Sequence, residues 1–355
     1  MLLAIGSAVL LWILLTPPMW LALRRRYRLA TPADERHDAV TDDGWLLALY
    51  RYRPGRITAG REPIILCHGM LSNRFNVDLD QQTSLARFLR EAGFDVWIME
   101  LRGHGGSRRA QGARSRGFDW AFDDYVRKDV PAAIRSVRHL TGALRVHWFG
   151  HSMGGVLLYA ACALDGFSAA IASAALSDAP ATFRPLRRGV GIARCYGRLV
   201  PVVPPALVLP FLGTLAWLFP GIMRRRYGFS GRARIMRLLS NAIIPWGSSR
   251  VLLQFCDMIG SGRFVSMDGS MDYETGASRI SFPLFVLSSA RKIMSEDAVI
   301  AGLERAGSAC KRYVRFTRAH GCAEDTTHSN LILSETSRDE VFPGIRDWFL
   351  EHSSA

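Results

Sequence analysis

Apolar positions follow two rhythms along this chain. Short, nearly continuous apolar runs occupy 46–52, 63–67 (PIILC), 94–99 (FDVWIM), 145–149 (RVHWF) and 171–176, and return at 283–288 (PLFVLS) and 312–317. Between them lie longer stretches of helical period at 80–92, 122–140, 154–164, near 296–306 and near 340–352. Continuous apolar strands alternating with helices predict an α/β fold, a mostly parallel sheet covered by helices on both faces.

The alternation is interrupted twice. Residues 1–23 carry no charged side chain and are closed by Arg24, Arg25, Arg26 and Arg28. Roughly 20 apolar residues are enough to span a bilayer as a helix. A cleavable signal would need a positive leader and a small-residue cleavage site, and this segment has neither. The expectation is a single-pass transmembrane anchor over 1–28, with the arginines holding the rest of the chain on the cytoplasmic side. Pro17 and Pro18 leave open an interfacial helix hairpin, and a buried soluble helix is the plain alternative. From 180 to 278 no convincing β-run occurs, so this block is expected to be an inserted helical cap. The α/β core then divides into 40–179 and 279–355.

Charge and cysteine content narrow the partners. Net charge is +14 at pH 7, with arginines concentrated beside apolar segments, at 24–28 and again at 224–226. That pattern favours an anionic membrane surface, and no nucleic-acid motif accompanies it. The six cysteines have no metal-like spacing, so free thiols in a reducing compartment are expected, with no metal and no cofactor.

Candidate chemistry centres on Gly150-His151-Ser152-Met153-Gly154-Gly155, directly after the strand RVHWF and opening an apolar helix. G-x-S-x-G in a strand–turn–helix setting places a serine on a tight, strained turn, here Ser152 as nucleophile. The Met153 N–H, at the helix start, points where an oxyanion develops. His68-Gly69-Met70 follows PIILC, and the Met70 N–H is the second expected oxyanion donor. His68 itself is expected to shape that loop. His328, in THSNLIL between the last strand and the last helix, is the expected general base, ahead of His320. Asp119, Asp123, Asp124 and Asp129 are expected to cap and solvate a helix rather than bind metal.

With these segments in hand, the chain resembles α/β-hydrolase fold lipases and esterases, including their acid-lipase-like branch. HGMLSNRFN is similar to the oxyanion segment and DVWIMELRGHGGS to the following strand and turn. FDWAFDDYVRKDVPAAI is similar to an acidic helix, GHSMGG to the elbow and THSNLIL to the terminal histidine segment. The likeness covers roughly 43–178 and 281–349. One departure stands out: the family acid follows the strand matching PLFVLS, and Arg291 holds that place here. Asp178, at the end of IASAALS, is preferred as replacement because its strand is expected between the elbow strand and PLFVLS. Glu296, Asp297 and Asp325 stay open, as does a degenerate site without an acid.

The expected reaction is acyl transfer through an acyl-enzyme on Ser152, followed by hydrolysis, with a small-molecule or lipid ester as substrate. A thioesterase, peptidase or acyltransferase on the same elbow is the nearest alternative, and a non-catalytic membrane-associated protein of this fold the more distant one.

Overall fold

The computed structural model describes residues 2–30, 33–56, 61–111, 117–183, 190–222, 231–291 and 295–354. Among the described residues the strands are, in chain order, β1 (Glu35–Val40), β2 (Trp45–Tyr52), β3 (Ile64–Cys67), β4 (Val96–Met99), β5 (Arg108–Arg109), β6 (Val146–His151), β7 (Ile171–Ser177), β8 (Val202–Val203), β9 (Gly247–Ser248), β10 (Leu284–Ser289) and β11 (Lys311–Phe316). The main sheet runs β1-β2-β4-β3-β6-β7-β10-β11, with β5 on the side of β2. Pairing is antiparallel at β1/β2 and β2/β4 and parallel from β4 through β11.

Every residue of β3, β4, β6, β7 and β10 is buried, as their unbroken apolar sequences require for a sheet covered on both faces. The order β6-β7-β10 sets the IASAALS strand beside the elbow strand and beside PLFVLS, the arrangement the acid assignment needs. β1 was not expected. Its sequence ERHDAV is polar and mostly half-exposed, as suits an edge strand. The helix expected over 122–140 forms in pieces, Phe122–Asp124 and Val130–Thr141, joined by a π-turn at Tyr125–Asp129. Buried Asp129 within that turn accepts from the Arg102 backbone N–H and guanidinium, tying the turn to the loop after β4.

Between β7 and β10 the chain runs through helices Val190–Leu199, Pro205–Leu218, Arg232–Asn241 and Ser249–Ser261, with a small β8/β9 ribbon that hydropathy did not announce. The Arg224–Arg226 cluster lies outside the described residues.

The N-terminal segment forms a helix, Leu2–Arg26, but the expected single-pass anchor is not supported. Among the described residues no helix is long and apolar enough to cross a membrane. The C-terminal half of the helix packs on the Pro205–Leu218 helix instead. Trp20 and Leu23 are buried there, and Gly213 makes room for the Trp20 ring, which a Cβ at that position would meet at 2.2 Å. Past the helix, Asn241 Nδ2 donates to the Tyr27 carbonyl (2.8 Å) and Asn241 Oδ1 accepts from the Leu29 N–H (2.9 Å).

Candidate active site

β6 ends in the elbow. Ser152 takes φ 54° and ψ −118°, a conformation costing a non-glycine residue on the order of 1–3 kcal/mol. The surroundings hold it there. Its N–H donates to the Ser177 carbonyl (2.8 Å), and its own carbonyl accepts from Gly155 and Val156 as the helix Met153–Ala161 begins. The glycines are demanded by close approach: a Cβ on Gly154 would lie 2.4 Å from the Cys67 carbonyl oxygen of β3. One on Gly155 would lie 2.4 Å from Ala179 Cβ. The Ser152 turn is thus wedged between the ends of its two neighbouring strands.

The turn after β3 is fixed by His68. Its Nδ1–H donates to the Gly69 carbonyl (2.8 Å), and its Nε2 accepts from the Leu101 N–H (3.3 Å), which uses both ring nitrogens of one neutral tautomer. Burial, with the His104 ring 4.8 Å away, pushes its pKa well below the usual histidine value. His68 is therefore structural, as expected. Met70, Met153 and Ser152 all face one cavity.

Asp178 follows β7 directly, at φ 48° and almost fully buried. Its Oδ2 lies 3.3 Å from His328 Nδ1. Ser289, the last residue of β10, donates its N–H to Asp178 Oδ1 (2.8 Å) and its hydroxyl to Oδ2. A carboxylate held by three donors keeps a fixed orientation toward the imidazole. The strand that would ordinarily carry the acid thus supplies Ser289 as a clamp. Arg291 contributes through its backbone: its N–H donates to the Thr326 carbonyl (3.0 Å), aligning the chain beside the His328 loop, while its side chain is exposed.

The other acids lie elsewhere. Glu296 accepts from Tyr313 Oη (2.6 Å) and pairs with Arg315, and Asp325 accepts from the Arg318 N–H. Asp297 sits in the first turn of a helix capped by Ser295. His320 bonds Thr317 Oγ1 on an exposed turn. Of the four aspartates expected to cap and solvate a helix, Asp124 caps through the Ala121 N–H, whereas Asp129 is not solvated but fully buried against Arg102, and Asp123 accepts from Gln254 and Tyr273 of the inserted block.

Three residues at the site were not singled out from sequence: Ser289, Asn76 and His151. Asn76 Oδ1 accepts from the Gly69 N–H (3.1 Å) and faces His151 Nδ1 (3.0 Å). His151 and Asn76 stand within the segments GHSMGG and HGMLSNRFN, but contacts across 75 residues leave no local signal.

Ser152, His328 and Asp178 line a cavity of about 770 Å³, within the ordinary range for a small-molecule site. Its remaining wall is largely apolar, including Phe183, Val208, Leu209, Leu212, Phe255 and Ile259.

The family described as the alpha/beta hydrolase fold matches residues 62–238. "Triacylglycerol lipase 2" of Arabidopsis thaliana is 34% identical over 152 residues, 40% of this chain and 36% of that protein. Gastric triacylglycerol lipase of Rattus norvegicus is 33% identical over 128 residues, 34% of this chain and 32% of that protein. The chain thus spans about a third of the length of these curated relatives. Among solved structures, the monoacylglycerol lipase of Paleococcus ferrophilus superposes with a TM-score of 0.56 at 18% identity, covering 86% of this chain and 99% of that one. An enol-lactonase from Burkholderia xenovorans LB400 gives 0.54 at 16% identity, covering 86% and 97%. Those likenesses establish that this chain has the α/β-hydrolase fold, and its segments around the elbow are similar to those of lipases.

Proposed function

We propose that the protein is a serine ester hydrolase acting on lipid-like esters, with Ser152 as nucleophile, His328 as general base and Asp178 as the acid that orients it. The observation that carries this reading is the Asp178–His328 contact at the wall of an apolar cavity that Ser152 also lines. Ser152 Oγ attacks the ester carbonyl while His328 Nε2 takes its proton. The Met70 and Met153 N–H groups hold the oxyanion, and His328 returns the proton to the departing alkoxide. Water, deprotonated in turn by His328, then releases the acid. Asp178 keeps the Nδ1–H tautomer and stabilises the imidazolium. The helical block 180–278 acts as the cap that closes the acyl pocket.

A fluorophosphonate probe tests this, because it labels only an activated serine. Labelling should reach Ser152, and Ser152→Ala should abolish labelling and hydrolysis of p-nitrophenyl esters together. Undiminished labelling of that variant sinks the assignment.

The finer part of the reading is that the esters come from a membrane surface. Leu14, Leu15 and Leu21 of the N-terminal helix and Leu207, Leu212 and Phe219 of the adjoining cap segment expose apolar side chains. Exposed Arg24, Arg25, Arg26 and Arg28 follow, each able to add about 1 kcal/mol of attraction to anionic headgroups. Apolar area beside basic residues is the signature of a protein lying on a bilayer rather than crossing it. Co-sedimentation with phosphatidylglycerol-containing vesicles should exceed that with pure phosphatidylcholine and weaken in salt. An absence of binding to both rejects the membrane surface while leaving the chemistry intact.

A further inference from the structure

The mechanism just described gives no work to His151, the last residue of β6, although its ring is buried and in contact with both halves of the site. Its Nδ1 lies 3.0 Å from Asn76 Oδ1, and its Nε2 lies 3.0 Å from the backbone carbonyl oxygen of His328. Its ring also packs 4.8 Å from the His328 ring, tilted by 38°. Asn76 is held in that orientation, because its oxygen is the acceptor for the Gly69 N–H. Turning the amide over would set NH₂ against N–H.

We propose that His151 is a positioning residue: a rigid spacer that holds the oxyanion turn, through Asn76, and the general-base loop, through the His328 carbonyl, at a fixed separation across Ser152. The inference rests on the proposed roles of Ser152 and His328.

Two features argue for a spacer rather than ordinary core filling. Both ring nitrogens face oxygen acceptors, whereas a neutral imidazole carries a single N–H. Burial, and then repulsion from His328, push its pKa below the usual histidine value, so a neutral ring donates its one N–H to a single oxygen and holds the other side by close packing. A side chain selected only to fill space would not bring two oxygens onto its nitrogens. The ring is also boxed in. A Cβ added to Gly69 would lie 3.3 Å from His151 Nδ1 and 3.3 Å from Ser152 Cβ, so the oxyanion turn leaves no room for a side chain beside the spacer and the nucleophile. An imidazole has no internal torsion, so the distance from Asn76 to the His328 loop is set by ring width. The pieces so joined are the ones whose relative placement decides the rate, where a 1 Å error can cost on the order of 100-fold.

The test uses the full chain, p-nitrophenyl butyrate as ester, and a fluorophosphonate to report Ser152 reactivity. His151→Phe keeps the ring packing and removes both nitrogens. It should lower kcat on the order of 100-fold, with KM changed by less than about twofold, and slow labelling in parallel. His151→Gln, which can still donate to one acceptor, should recover about a tenth or more of wild-type kcat. Asn76→Ala cuts the same bridge from the other side and covers the case in which His151→Phe does not fold. Combined with His151→Gln it should cost no more than the worse single change. Wild-type kcat in His151→Phe overturns the proposal, as does a loss confined to KM or full additivity of the Asn76 and His151 changes. A wild-type chain that neither labels nor hydrolyses defeats the proposed function itself, and this inference falls with it.

Discussion

The sheet interior and the layer made by the N-terminal and Pro205–Leu218 helices are equally apolar in sequence, yet they use that character differently. In β3, β4, β6, β7 and β10 every side chain is buried, because helices cover both faces of the sheet. In the helix pair one side is buried, by Trp20, Leu23, Leu209 and Ala216, while the other leaves leucines exposed. Hydropathy fixes that a segment must leave water. Topology decides whether the protein alone can satisfy it. The sheet is self-sufficient, and the helix pair is half-covered.

Several substitutions would break or sharpen that contrast. In the sheet region, Asp178→Asn should lower turnover by about 10⁴-fold with substrate binding nearly unchanged, since it strands His328 in the wrong tautomer. Asp297→Asn and Asp325→Asn should leave steady-state kinetics near wild type, and a loss in either that exceeds Asp178→Asn moves the acid elsewhere. Next comes Gly154→Ala, whose methyl would press on the Cys67 carbonyl. It should cost about 1–3 kcal/mol in denaturant unfolding along with most of the activity.

pH should act on the same region. His68 and His104 are buried and stacked, burial being the main cause of their lowered pKa, which for His104 is about 4. At these two histidines the unfolded chain binds more protons than the folded one between about pH 6.5 and 4, so their contribution to stability falls as pH drops through that window, opposed in part by buried Asp129, whose pKa burial raises to about 6. Thermal unfolding across pH 4–7 should show this slope, and His104→Phe should flatten it. The smallest effect belongs to the helix pair. Leu207→Ser with Leu212→Ser should shift stability by only about 0.5 kcal/mol per site, yet reduce vesicle binding measurably. Strong destabilisation would mean that the exposed leucines belong to the protein's own core.

The strands at 46–52, 63–67, 94–99, 145–149, 171–176 and 283–288 were legible because a doubly covered sheet leaves a nearly unbroken apolar run, and the half-exposed edge strand at 312–317 by its place in the alternation. β1 was not, since an edge strand needs no such run, and neither was the π-turn at Tyr125–Asp129, which answers to Arg102 in another loop. At the site, Ser152 and His328 are proposed from the segments around them, and Asp178 from the expected strand order, which the sheet has. Ser289, Asn76 and His151 stayed silent because their roles exist only once residues 75 or more positions apart meet. The reading of the N-terminal run as a membrane span is not supported, for a related reason: sequence cannot tell an apolar face meant for lipid from one meant for a glycine-notched helix.

Asn241 gives the half-covered layer a mechanical meaning. Its side chain grips the backbone at Tyr27 and Leu29, while its own carbonyl accepts from Asn73 Nδ2, and the neighbouring Ala242 carbonyl accepts from Ser72 Oγ, both in the oxyanion turn. One residue is thus the knot at which a strap from the N-terminus is tied to the rim of the reaction chamber. Residues 1–30 are a guy-line under this arrangement and not a detachable handle. Cutting them away would slacken the loop carrying Ser72 and Asn73, next to the proposed oxyanion donor Met70, and turnover on a water-soluble ester, where no membrane is involved, should fall with it.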